Sequence, residues 1–246
     1  MRNSIFIFFL GWATLIAGCS SGAISIEKSE GFQMRKKDLK SATIHYFEPD
    51  FEYYEAIDIP RKAFIESEKL KVFARNQMMK SAKKNRIKAV FLSDEKEISE
   101  SAAWLEEFLP LHDEIRQITG LQDNPINNGA LRHGGKNLQQ KIFTYPPRLF
   151  PEHAHLASKL KSPYVGLCGI FAVNANPKSR EAKDFVRNHR QLKEGKYFIF
   201  YHIIVNLEYA EIEYSEFKLA PVLPRPKFLE PIVYDSFFML NQNLKK

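Results

Sequence analysis

Residues 164–173 read YVGLCGIFAV, ten residues without a charge. A strand with one wet face alternates apolar and polar positions, whereas a continuous apolar run marks a strand buried on both faces. That requirement shapes the rest of the chain, because a doubly buried strand needs sheet neighbours and a covering layer on each side. Residues 197–214 supply a long aromatic strand region. Ile203, Val205, Leu207 and Tyr209 are apolar at odd positions, and then the phase slips to Ala210, Ile212 and Tyr214. A slip of one residue predicts a bulge or a turn. Eleven aromatic residues between Tyr197 and Phe238 predict a substantial buried sheet here. Between the two strands, Asn176-Pro177 opens a helix with Ala182, Phe185, His189 and Leu192 on one face. Strand, helix and strand in succession predict a βαβ crossover. Residues 232–240 (IVYDSFFML) are expected to add a further strand.

The first half has a different character. Residues 42–47 read as a strand. A helix opens at Pro60 in its first turn, where a missing N–H costs little, and runs to Lys84. Ile65, Val72 and Met79 recur on one side of it, with Ala63, Leu70 and Ala74 on another, so contact on two sides is expected. Residues 87–92 form a short strand. A second helix starts at Asp94, with Glu97 as capping-box partner, a kink at Pro110 and an end at Gly120. The fold class is therefore α/β or α+β: a mixed sheet with flanking helices, an α-rich N-terminal half and an aromatic β-rich C-terminal half. In domain terms, 1–18 is a signal peptide, 19–40 a tether, 41–120 an α/β subdomain, 121–151 a long loop and 152–246 a β-rich subdomain, which can form one domain with 41–120.

The N-terminus carries the most specific signal. Met1-Arg2-Asn3 is followed by an uncharged apolar run from Ile5 to Ala17, too short for a membrane span but suited to a translocon. Ile16-Ala17-Gly18-Cys19 resembles the lipobox of bacterial lipoproteins. That resemblance implies a thioether-linked diacylglycerol on Cys19, which becomes the first mature residue and the membrane anchor. Ser20 in place of aspartate implies transfer to the outer membrane. The exported chain is then lipid-anchored to the cell envelope.

Charge falls in blocks. Residues 48–58 hold five acids and no base, residues 94–107 hold six acids against Lys96, and residues 60–88 hold ten bases against Glu66 and Glu68. An exported protein rarely meets nucleic acid, so none is expected as a partner. The basic block points instead to anionic lipid, cell-wall carboxylates or an acidic protein face, or is a solvated helix face neutralised by its acidic neighbours.

No sequence constellation specifies chemistry. The loop GALRHGGKN has two glycines at phosphate-loop spacing. However, Gly135 precedes Lys136, and Asn137 stands where a magnesium-binding hydroxyl belongs. His153 and His155 flank Ala154 behind Pro151. On a helical turn they point apart and cannot share a metal, so no metal and no cofactor is expected. Cys168 is the only cysteine besides Cys19, and its apolar setting predicts a packed thiol rather than a nucleophile. No G-x-S-x-G elbow occurs. Asn174 and Asn176, near the carboxyl end of a predicted strand, are candidate ligand-binding residues, as are His133, His153 and His155 around the long loop. The leading expectation is an envelope lipoprotein that binds or scaffolds a partner protein or the cell wall. The alternatives are a tethered hydrolase using the loop histidines and a small-ligand or lipid-binding lipoprotein.

Overall fold

In a computed structural model of the chain, residues 24–55, 60–96, 104–119, 149, 151–174 and 196–245 are described. They build a mixed seven-stranded sheet covered by helices on both faces. The strands are β1 (Ile24–Lys28), β2 (Thr43–Tyr46), β3 (Asp50–Glu55), β4 (Lys88–Phe91), β5 (Tyr164–Asn174), β6 (Lys196–Asn206) and β7 (Glu211–Ala220). The α-helices are α1 (Phe32–Ser41), α2 (Pro60–Lys84), α3 (Leu109–Ile118), α4 (Leu156–Leu160) and α5 (Pro226–Lys245). A π-helical turn, Trp104–Phe108, leads into α3, and a 3-10 turn, Pro151–His155, leads into α4.

The sheet order is β1-β7-β6-β5-β2-β4, with β3 also paired to β5. The apolar run is the central strand. Tyr164, Cys168, Ile170 and Ala172 face a core under α1, α2 and α5, while Val165, Leu167 and Phe171 face a core under α3 and α4. Alternate residues of one strand thus serve two cores, which is why the run carries no polar face.

β2 and β3 lie end to end along the same edge of β5. Tyr46 pairs with Gly166 and Asp50 with Gly169, so four steps on one side match three on the other. From β3 the chain crosses through α2 and returns as β4, parallel to β2. This first-half unit is the parallel crossover. The crossover expected between the two C-terminal strands does not form: β5 and β6 pair antiparallel over their whole length. The phase slip at 209–210 is the turn between β6 and β7, with a further register shift at Ile204/Val205.

Other expectations are corrected. Residues 24–40 are not a tether. β1 pairs with β7, and α1 buries Phe32 and Leu39, which stand seven residues apart on one helical face behind a surface of lysines. Residues 232–240 are not a strand but the middle of α5. Its Leu229, Val233, Phe237, Leu240 and Leu244 recur at helical spacing and are buried, a period that outweighs the β-forming preference of Ile-Val and Phe-Phe. On α2, Ala74, Met78 and Ala82 are buried, with Leu70 and Met79 packed partly buried beside them, while Val72 is 58% exposed and stands outside the core contact expected of it. Pro110 sits in the first turn of α3, immediately after the π-helical turn Trp104–Phe108. Strands from both halves share one sheet, and the C-terminal half ends in a 20-residue helix. The helix expected from Asn176 lies outside the described residues.

Candidate functional site

Two glycines in β5 open the sheet to polar groups, one on each face. A Cβ on Gly169 would lie 2.1 Å from the Tyr201 hydroxyl oxygen and 2.9 Å from the Asp50 Cβ. A Cβ on Gly166 would lie 2.3 Å from the Tyr46 ring. Each missing side chain is the space in which a neighbouring tyrosine crosses the strand.

On the α3 face, Asp50 is the hub. Its Oδ2 accepts from Arg116 Nη1 at 2.7 Å and from the Tyr201 hydroxyl at 3.0 Å, and it lies 3.3 Å from His112 Nε2. Arg116 also donates to Glu52. The local sequence explains the convergence. Asp50 and Glu52 alternate on β3 and so share a face, and His112 and Arg116 are four apart on α3 and share a helical side. Burial alone would raise the Asp50 carboxyl, but His112 and Arg116 outweigh it and hold it below its ordinary range. Burial would lower His112, but Asp50 reverses that and favours the imidazolium. Burial, and then the Asp50 charge, push the Tyr201 phenol well up, so it stays a donor. The side chains of Asp50, Glu52, His112 and Arg116 are 13–30% exposed, which makes this a partly open ion cluster over the buried Tyr201.

On the opposite face a chain of polar groups runs beneath α5. The Tyr46 hydroxyl and His202 Nε2 are 2.9 Å apart, and His202 Nδ1 and Ser236 Oγ are also 2.9 Å apart. Ser236 donates to Glu216. Lys218 Nζ then lies 3.1 Å from Glu216 Oε1 and 2.7 Å from Asp235 Oδ2. Because the Ser236 proton is committed to Glu216, Nδ1–H must donate to Ser236, and Nε2 accepts from Tyr46. Burial, helped by Lys218, pushes His202 down to about 3, so the imidazole is neutral as this directionality requires. Burial raises Glu216, against the opposing pull of Lys218 and Ser236.

Cys168 stands opposite His202 in register, and His202 opposite Glu216. A thiol, an imidazole and a carboxylate in one row resemble a nucleophilic triad only on paper. Burial, with Glu216 and Asp50 adding to it, pushes the thiol well above its ordinary value, and all three groups are buried at 1% exposure or less. The row packs the core.

The residues singled out in the sequence do not converge on one site. His153 Nε2 is 2.6 Å from Glu114 Oε2, and both side chains are nearly buried. His155 lies on the outside, 3.2 Å from Glu107 Oε2, which also pairs with Lys159. The two histidines of the Pro151–His155 turn point apart, as their spacing requires. Asn174 ends β5, paired with Glu55 and Lys196. His133, Asn176 and Cys19 lie outside the described residues. Among the described residues, no group of three His, Cys, Asp or Glu side chains is placed to hold a metal ion, and no helix is long and apolar enough to cross a membrane.

Sequence reasoning missed Asp50, Arg116, Tyr201, His202, Glu216 and Ser236. The signals were present but weak: two glycines inside a buried strand, acids at alternate positions in EPDFEYYE, and one histidine inside the apolar run YFIFYHIIV.

Compared by sequence, the chain matches no protein-family model and no curated protein. Among solved structures it is similar to a point variant of the PelC dodecamer from Paraburkholderia phytofirmans, with a TM-score of 0.36 and 5% identity over 91% of this chain and 97% of that one. A second PelC dodecamer structure from the same organism gives 0.35 and 6%, over 91% and 96%. At this similarity neither structure assigns a fold family or a function to this chain.

Proposed function

We propose that this protein is an envelope lipoprotein, anchored through Cys19 to the outer membrane, whose folded domain binds or scaffolds another envelope component. The observation that carries the reading is the lipobox-like Ile16-Ala17-Gly18-Cys19 at the end of an apolar run. The start of the fold fits it. β1 begins at Ile24, five residues beyond Cys19, so a lipidated cysteine would hold the domain within about 18 Å of the bilayer surface. A binding role is supported by how the polar clusters are used. Asp50 is engaged by three donors, and His202 and Cys168 are sealed in the core, so these groups hold the fold together.

Intact-mass analysis of the membrane-fraction protein, wild type against Cys19→Ala, tests the anchor. A mature chain beginning at a diacylglycerol-modified Cys19, absent in the variant, is expected. An unmodified chain cut elsewhere would remove the anchor. Turnover of an envelope substrate by the purified protein, lost on substituting His133, His153 and His155, would replace the binding role with a hydrolase.

A further inference from the structure

Some cations of the described fold are paired, and others, spread over several elements, are exposed without an ion pair among the described residues. Arg35, Arg75, Arg116, Lys159 and Lys218 are each paired with one or more carboxylates. Lys37, Lys40, Lys83, Arg86 and Lys161 are exposed and make no ion pair among the described residues.

The topology brings these five to the segments at one end of the sheet, while Lys69, Lys80, Lys96, Arg225 and Lys227 are exposed elsewhere. β2, β4 and β5 are parallel, with Thr43 beside Lys88 and His45 beside Val165, so their first residues share an end. α1 finishes just before β2, α2 just before β4, and Lys161 stands three residues before β5. Two bonds tie these approaches together: Lys88 Nζ donates to the Ser41 carbonyl at 2.9 Å, and Ser162 Oγ donates to the Thr43 carbonyl at 2.6 Å. Arg86 and Lys161 hold left-handed backbone, with φ of 58° and 53°. Glycine or asparagine adopts that conformation more cheaply, so long cations there come at a conformational cost, as does Ala210 in the β6–β7 turn. Glu30, Asp38 and Glu208 are the exposed acids on the segments at this end, too few to neutralise it.

The chain enters the sheet from the other direction. β1 is antiparallel to β7, and Ile24 pairs with Lys218, near the end of β7 remote from the basic cluster. An anchor at Cys19 therefore holds the basic end away from its own membrane, facing the layer beyond.

We infer that this end of the sheet is a docking surface for a carboxylate-bearing cell-wall polymer. The inference rests on the lipoprotein reading for its choice of partner. Unpaired lysines and arginines spread across one end suit a polymer with repeated carboxylates. They act through summed charge rather than through a shaped pocket, so the interaction weakens with salt.

The test is co-sedimentation of the full mature protein, purified in detergent, with isolated cell-wall sacculi. Arg86→Glu/Lys161→Glu is compared with wild type and with Arg225→Glu/Lys227→Glu, which makes the same charge change at exposed positions elsewhere. Wild type and the control variant are expected to bind, and the Arg86/Lys161 variant to bind about tenfold more weakly, with wild-type binding lost at about 0.3 M salt. Equal loss in both variants would show dependence on net charge and overturn the assignment to this end. Binding to phosphatidylglycerol vesicles in preference to sacculi would make the partner a lipid surface and overturn it too. The anchor is read separately from the mass of Cys19. A lipidated protein that ignores sacculi defeats this inference alone, while an unlipidated one that binds them defeats only the anchor.

Discussion

Asp50 shows how single side chains set the pH behaviour of this fold. Its pKa is depressed, so its contribution is present above the ordinary carboxylate value near 3.8 and is lost as pH falls through the lower folded value. His112 runs the other way. Its pKa is raised, so its contribution is complete below about 6.5 and is lost as pH rises through the folded value. The pair therefore stabilises most between about pH 4 and 6.5. Asp50→Asn should cost about 2 kcal/mol in that window and less on either side, read as the difference in urea midpoints against wild type across pH. A difference that does not vary with pH would show that Asp50 does not act through His112. Total stability follows a different curve, because His202 on the other face opposes part of it. Held neutral to about pH 3, His202 weakens the fold as pH falls below about 6.5, where the unfolded chain takes up a proton the native one refuses. The difference measurement isolates the Asp50 pair from that background.

At the scale of elements, β5 decides the arrangement. Its apolar residues were enough to identify a doubly buried strand, and its neighbours confirm why: β6 lies on one side, with β2 and β3 in line on the other. The two glycines were the part of the run that could not be read. Each is intelligible only once the neighbouring strand is in register, when Tyr201 and Tyr46 are seen to occupy the missing Cβ positions. Gly169→Ala should displace Tyr201 from Asp50 and destabilise by about 3 kcal/mol, because the methyl would meet a hydroxyl and a backbone-proximal Cβ rather than open space. Gly169→Ala/Tyr201→Phe should recover part of that loss in thermal melts, since the first clash is with the hydroxyl. No recovery would place the obstruction at the Tyr201 ring carbon, 2.3 Å from the added methyl, or at Asp50. The failures at this scale have physical causes too. α1 was hidden because its exposed lysines dominate the composition of a segment that buries only Phe32 and Leu39. α5 was hidden because a window of nine residues favours strand, while the buried period extends over the whole of Pro226–Lys245.

For the whole molecule, the correction at the N-terminus matters most. β1 and α1 are bound into the fold by the β1–β7 ladder and by Arg35. Its guanidinium pairs with Glu211 and Glu213 and lies 4.2 Å from the Tyr209 ring. A deletion of residues 24–41 should therefore abolish cooperative unfolding rather than shorten a linker, because it exposes the β7 edge and strands the buried Glu213 charge. Circular dichroism melts would show it; a variant that melts like wild type would restore the tether. The sequence alone determined the layered α/β character, the central strand, the long helix α2, the packed state of Cys168 and the lipobox-like motif. These rest on local periodicity and on residue types within a few positions of one another. Only the tertiary structure decided that β5 and β6 are antiparallel, that Asp50 meets Arg116 and Tyr201, that His202 reaches Ser236, and that unpaired cations from three approaches collect at one end. Each of these depends on strand order and register, which place residues tens of positions apart within a few ångströms, and no local pattern encodes that.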